Sequence, residues 1–579
     1  MIPASATTPA PESGALEPLA QAEELLKAGD AAQAQRLVLS ILESEPQNPR
    51  ALLLAGRIER LAGHYEAALT LLEQATEIAP ELVGARLEIA AICRRARDFE
   101  RALDELALAL HYEPASADAH YEAGNVHRLQ GRYGQAIEYL EQAIAAEPGH
   151  ARAHVELGSV YLLQERFREA LDPLERALEL DPRSFVAQNN LGYACVKLEQ
   201  YERALEVFSR LCQHTPRALL GPRINLGNAL DHNARFDDAE RIYEQILRYE
   251  PNNFAARWNR AHVLLSRHEF AEGWGEYHYR LQVEGIWHPR LIPFAPWQGE
   301  PLEGKSLLLS AEQGLGDQIM FASCLGEVAS RAARVVLECE HRLAPLFQRS
   351  FPQIRVIGSR HELVPPWLRE VGEIDYHVPF GSLPGFWRRS LADFPRHEGY
   401  LRADPAKQAK WQAWLDALGP GLKVGVSWRG GTQSTRRRLR SLELSDLLPV
   451  LRVPGFQFVC LQYGDCAGEL EQLRAEHGIR VAYAKEAIAD YDETAALCAA
   501  LDLTVSVCTA VIHLNGALGK PVWVMVPAVP EWRYGRSGER MPWYPSVRLL
   551  RRAEQGDWTP VFEAVADGLS RLVGGQTGF

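Results

Sequence analysis

No tryptophan occurs before Trp258, although the chain of 579 residues holds 13. So abrupt a change of composition excludes one uniform domain, and at roughly 100–200 residues per domain the length calls for several units. Cysteine is sparse and unpaired. The nine thiols, at Cys93, Cys195, Cys212, Cys324, Cys339, Cys460, Cys466, Cys498 and Cys508, include no C-x-x-C spacing, which argues against a zinc site and a disulfide framework. Nowhere do ~18 apolar residues run together, so no helical membrane span is expected. Basic residues are outnumbered, 62 Lys and Arg against 75 Asp and Glu. The resulting net charge of −13 disfavours nonspecific binding to nucleic acid, which rests on counterion release by cations. The opening MIPASATTPAPESG lacks both the charged and the apolar parts of a secretion signal, and residues 1–16 read as a disordered tail. Together with the unpaired thiols this leads to an expected cytoplasmic location.

What is present is a period. Prolines stand at Pro46, Pro80, Pro114, Pro148, Pro182, Pro216 and Pro251, at intervals of 34 residues with a last interval of 35. The same residue types recur within each interval: Gly158, Tyr161, Phe167, Ala170, Ala177 and Pro182 in one copy, and Gly124, Gly131, Tyr133, Ala136, Ala143 and Pro148 in the copy before. Spacing and residue types resemble the tetratricopeptide repeat, in which two antiparallel helices cross at small residues and a proline ends the second. The resemblance implies about eight units over residues 17–284, the last one degenerate at Phe270 and Gly273. Stacked, they would form an α-solenoid, a right-handed superhelix with a concave groove. Such an array by itself is a scaffold that grips a peptide and carries no reactive group.

One position in the repeat changes character along the array. Two residues before the small residue of the first helix, the series runs Leu54, Glu88, Glu122, Glu156, Asn190, Asn225, Asn259. In the arrays of the protein O-linked N-acetylglucosamine transferases, which this one resembles, asparagines on the concave face hold an extended peptide by its backbone. An amide both donates and accepts, so Asn190, Asn225 and Asn259 are acceptor-binding candidates, and the glutamate half would favour basic segments. The bland alternative is a row of polar positions on a solvated helix face.

Beyond the array the pattern changes. GIWHPRLIPFAPWQGEPLEG, residues 285–304, is rich in proline and aromatics and reads as an ordered linker. Short apolar runs then alternate with helical stretches, as in open α/β sheets. SLLLSAE, RVVLECE and IRVIG fall in a lobe over 305–415; LKVGVSW, FQFVCLQYG, IRVAYA, LTVSV and PVWVMVP fall in a second over 416–579. Two Rossmann-like lobes imply a cleft at the strands' carboxyl ends.

Three motifs fall there. Gln313, Gly314, Leu315, Gly316 and Asp317 follow the first strand and open a helix; the glycines permit close backbone approach. Cys508, Thr509, Ala510 and His513 follow LTVSV, a setting that suits a diphosphate through backbone amides and a hydroxyl. GVSWRGGTQSTRRRLRS brings Arg429, a glycine loop, the run Arg436, Arg437 and Arg438, and Arg440, the arginine best placed to hold phosphate oxygens. In this order, with the later EWRYG and MPWYPSVRLLRR, these motifs resemble the heptosyltransferase-like (family 9) glycosyltransferases and the related domain behind bacterial tetratricopeptide arrays. From about residue 270 onward the resemblance implies a GT-B fold, inverting and metal-independent. Asp317 would be the base, and Gly314, Gly316, Arg429, Arg440, Cys508, Thr509, Ala510 and His513 would hold a nucleotide-sugar donor. No other cofactor is implied, and the acceptor would be a Ser or Thr of a protein in the groove, with a surface protein such as flagellin as one example.

Two positions depart from the family. Cys508 stands where an aspartate usually precedes the threonine, and Asn515 where a small alanine follows His-Leu. A thiol does not replace a carboxylate as an acceptor, so a changed donor, or a scaffold that binds a nucleotide sugar without turnover, stands beside the enzyme reading. A transferase acting on a glycan or lipid-linked acceptor is a third reading, which the asparagine series disfavours. Asp490-Tyr491-Asp492 looks like a metal-binding D-x-D, but it precedes ETAALCAALD and reads as a helix cap.

Overall fold

The computed structural model describes residues 16–283, 291–312, 314–360, 365–431, 440–553 and 557–574. The chain divides into two compact units, Met1–His214 and Thr215–Phe579, so the division falls inside the helical array. That array contains sixteen α-helices among the described residues, from Leu16–Lys27 to Phe270–Tyr277.

Three periodic devices build the repeats. Each second helix stops two residues before its proline, at Ser44, Ile78, Tyr112, Ala146, Leu180, His214 and Tyr249. The residue before a proline is pushed toward extended backbone, and Ala79, Glu113, Glu147, Asp181 and Glu250 have φ near −130°. At the helix crossings, a Cβ on Gly56, Gly124, Gly158, Gly192 or Gly227 would lie 2.5 to 2.7 Å from Leu72, Leu140, Leu174, Phe208 or Tyr243 of the facing helix. Only glycine lets those large side chains seat. The turn between the two helices has the left-handed conformation in every copy, at Gly29, Gly63, Arg97, Gly131, Glu165, Glu199, Ala234 and His268. This third device is invisible in composition, because five of the eight residues are not glycine.

The α/β region holds two sheets. Strands β1 (Ala295–Pro296), β2 (Ser306–Ser310), β3 (Arg334–Glu340), β4 (Arg355–Ser359) and β5 (Tyr376–Pro379) form a parallel sheet of order β1-β5-β2-β3-β4. Strands β6 (Leu422–Ser427), β7 (Phe456–Cys460), β8 (Leu503–Val507), β9 (Val522–Val526), β10 (Arg540–Met541) and β11 (Tyr544–Arg551) form the second, of order β10-β11-β9-β8-β6-β7, in which only β10 runs antiparallel. Central β8 and β9 are buried at every residue, as strands covered on both faces must be. The stretch IRVAYA is not a full strand: it meets β7 through the single bridge of Ala482 with Val459. The structure adds β5 and β11, whose mixed composition hides their pairing.

All nine cysteines are free thiols. No helix among the described residues is long and apolar enough to cross a membrane. Asp490 caps Tyr491–Ala500 by accepting from the amides of Asp492 and Glu493.

Candidate functional site

The carboxyl end of β2 is fixed from the last repeat. Arg280, in the 3-10 turn His278–Gln282, donates through Nε to Glu312 at 2.9 Å and also bonds the Tyr277 carbonyl and Ser382 Oγ. Both side chains of this pair are 2% exposed. Glu312 further accepts from the Gly381 amide at 2.7 Å. A buried ion pair persists only when its remaining polar atoms are satisfied, and here four groups converge. Arg280 and Gly381 also border a cavity of about 300 Å³ walled by Trp274, Tyr277, Trp297 and Phe386.

Past Glu312 the chain turns through Gly314 into the helix Leu315–Phe321, whose first turn carries Gly316 and Asp317. A Cβ on Gly316 would sit 3.0 Å from His513 and 3.5 Å from Ala510. The glycine therefore serves the approach of two helices, this one and Ala510–Ala517. Gly314 is exposed and faces open space apart from the Asp317 carboxylate at 3.6 Å. Gln313 lies outside the described residues.

On the second sheet, Gln462, fully buried, gathers the end of β6: its Oε1 accepts from the amides of Trp428 and Arg429 and from Ser427 Oγ. Arg429 is held by Glu469 and is thereby turned to a different partner from Arg440. Gly430 packs beneath the next loop, where a Cβ would meet the Cys508 carbonyl at 2.5 Å and Thr509 at 3.0 Å. Thr509 bonds Ser506 Oγ at 3.2 Å and precedes Ala510–Ala517. His513 is 2% exposed and pairs through Nδ1 with the Tyr544 hydroxyl at 3.1 Å. Burial, then Arg533 and Arg440, hold its pKa well below the ordinary histidine value, so the ring is neutral. Burial pushes the Cys508 thiol up to about 12, which makes it an unreactive wall residue. Arg436, Arg437 and Arg438 lie outside the described residues.

A chain of four charges joins the two sheets. Arg533 lies 2.6 Å from Asp317 and 2.8 Å from Glu531, and Glu531 lies 2.8 Å from Arg440. The side chains of Asp317, Arg533, Glu531 and Arg440 are between 9% and 19% exposed, so each is sheltered yet reachable. Burial lifts the Asp317 pKa above the usual carboxylate range, and Arg533 opposes that rise. Glu531 and Arg533 were not among the residues marked by sequence. They sit in the loop after β9, and the only signal was EWRYG at the end of a fully apolar strand.

The asparagine series is distributed over both units. Asn190 is half-buried and donates to Ser159 Oγ at 2.9 Å. Asn225 and Asn259 are half-buried on Gly221–His232 and Phe254–Ser266. The three glutamates do not wait for a basic segment: Glu88 is held by Arg60 and by Arg57 at 2.7 Å, Glu122 by Arg94 at 3.0 Å, and Glu156 by Arg128 at 3.0 Å. Their charge is compensated inside the array. Among the described residues no cluster of three or more His, Cys, Asp or Glu could hold a metal ion.

The model for the tetratricopeptide repeat matches residues 19–82, 94–151, 130–185, 164–218 and 224–279, and the helical array is built of tetratricopeptide repeats. A curated relative, Protein FlbA of Caulobacter vibrioides, is 37% identical over 324 residues, 54% of this chain and 54% of that protein. The chain thus spans about half the length of the curated relative it matches. Among solved structures, YrrB, described as a tetratricopeptide protein with an unusual peptide-binding site, is 24% identical and is matched over 95% of its chain and 32% of this one, with a TM-score of 0.30. A thermophilic tetratricopeptide protein of Thermus thermophilus is 25% identical over 32% of this chain and 100% of its own, with a TM-score of 0.29.

Proposed function

We propose that the chain is an inverting glycosyltransferase of the GT-B class that moves a sugar from a nucleotide-sugar donor to a Ser or Thr hydroxyl of a protein held by its repeats. The observation that carries this reading is the meeting of a sheltered carboxylate, Asp317 at the carboxyl edge of one parallel sheet, with Arg533 and Arg440 at the corresponding edge of another. Open α/β sheets take their ligands at that edge. In the transfer, Asp317 accepts the acceptor's hydroxyl proton and the hydroxyl oxygen bonds the anomeric carbon. The bond from that carbon to the donor's phosphate oxygen breaks, and its electron pair leaves with the nucleoside diphosphate. Arg440, Thr509 and the amides opening Ala510–Ala517 balance the charge that develops there. The raised pKa of Asp317 suits a base better than an ordinary surface aspartate would. Asn190, Asn225 and Asn259 would hold the acceptor backbone.

One observation favours a second reading, a repeat scaffold whose α/β region binds a nucleotide without turnover. Cys508 is a neutral buried thiol where a carboxylate would accept hydrogen bonds from the donor. The two readings separate in one experiment. A panel of nucleoside diphosphates and nucleotide sugars is titrated calorimetrically into the wild type and Asp317→Asn, and the ligand that binds is used in a transfer assay. Asp317→Asn should keep donor affinity and lose about 10²–10⁴-fold in turnover. Wild-type turnover matched by the variant would remove Asp317 as the base. Binding without turnover in either protein would leave the scaffold.

A further inference from the structure

We propose that the Glu531 carboxylate is an internal stand-in for phosphate, seated between Arg440 and Arg533 in the ligand-free protein and displaced when a diphosphate binds there. The inference rests on the transferase reading for its ligand class, a nucleoside diphosphate ester, but it gives a role to Glu531, which that reading does not use, and a second role to Arg533. Its geometry is direct. The two oxygens of Glu531 are divided between the two guanidinium groups, Oε1 to Arg440 and Oε2 to Arg533, each at 2.8 Å. An anion that engages two arginines through separate oxygens is the arrangement that a diphosphate makes with the same donors.

Charge balance gives the second argument. Among the described residues, Asp317 and Glu531 each already face an arginine, Asp317 facing Arg533 and Glu531 facing both Arg533 and Arg440. A diphosphate entering without displacing Glu531 would set its charges against a sheltered carboxylate, where like charges repel more strongly than in water. A diphosphate that replaces Glu531 keeps both arginines paired. Glu531 is able to leave: it begins the short 3-10 turn Trp532–Tyr534 in a loop after β9, and its side chain is 19% exposed. Arg533 cannot leave as easily. Its Nη2 lies 2.6 Å from the Asp317 carboxylate, and its guanidinium rests over the Trp532 ring at 5.4 Å. The exchange also reaches the base, because a diphosphate brings more negative charge close to Asp317 than Glu531 does and raises its appetite for a proton.

The test uses the full-length protein with inorganic pyrophosphate as the probe. Glu531→Gln keeps the shape but removes the competing charge and should tighten pyrophosphate binding on the order of tenfold, within the usual range of coupling between sites; Glu531→Ala should act in the same direction. Arg533→Gln and Arg440→Gln should each abolish the gain when combined with Glu531→Gln. Unchanged or weaker binding by both Glu531 variants overturns the proposal, because a carboxylate that merely orients the arginines would lower affinity when removed. The fate of the transferase reading is separate. Tighter pyrophosphate binding with no sugar transferred from any nucleotide sugar keeps the anion site and sinks the enzyme, whereas transfer with no gain in the Glu531 variants does the reverse.

Discussion

In the repeats up to His214, the ion pairs at the asparagine-and-glutamate position link neighbouring copies: Arg60 to Glu88, Arg94 to Glu122 and Arg128 to Glu156, with the arginines 26% to 30% exposed. In the second unit Arg280 and Glu312 are both 2% exposed, and Asp317 finds Arg533 from a distant part of the chain. The first arrangement repeats a local solution, so each copy can change with limited effect on the others. The second is a set of single long-range contacts, each of which has no spare. Pairs of the first kind keep an arginine that still reaches solvent and are partly screened by it, whereas breaking one partner of the second kind strands a charge in a low-dielectric interior.

The comparison breaks most visibly at Arg280. Arg280→Met should cost about 3–5 kcal/mol and lower only the transition of the second unit in calorimetry. The double variant Arg280→Met/Glu312→Leu should recover a large part of the loss, and failure to recover would mean that the pair holds the backbone at Gly381 rather than merely neutralising a charge. A smaller effect is expected in the repeats. Gly124→Val places atoms on Leu140, whose Cγ is 2.7 Å from the built Cβ, and overpacking of this kind costs roughly 1–3 kcal/mol. It should move the first unit's transition and leave the second's. The smallest effect has the opposite sign. Glu199 holds φ at 57° in the inter-helix turn where other copies place glycine, and Glu199→Gly should stabilise the first unit by about 1 kcal/mol, read as a rise in Tm. No rise would mean that the strain is offset by contacts of the Glu199 side chain.

The same contrast decides what was legible beforehand. A 34-residue period in proline and glycine reports a fold in which every contact is made with the next copy, so the number of helices and their crossings follow from spacing alone. The α/β region yielded its central strands, because buried parallel strands are continuous apolar runs. It concealed β5 and β11, where Tyr376, His377, Pro545 and Arg548 interrupt the pattern. Gly314, Asp317 and Thr509 are legible because they follow strands, and Arg440 because it ends a glycine- and arginine-rich loop just before Ser441. Glu531, Arg533, Arg280 and Glu312 are not, since each matters only through a partner brought to it by folding. Gly316 also carries a packing role that its position in the motif does not reveal: a Cβ there would meet His513 and Ala510.

The crowding of tryptophan after residue 257 has an optical consequence. Trp274 meets Trp532 and Trp543 edge to face, with ring centroids 5.5 and 6.3 Å apart, and the Arg533 guanidinium lies over the Trp532 ring at 5.4 Å. Indole emission therefore originates wholly in the second unit and includes a chromophore stacked on the cation beside Asp317. Emission from this cluster is sensitive to any movement of Arg533, so the native protein carries its own label beside Asp317.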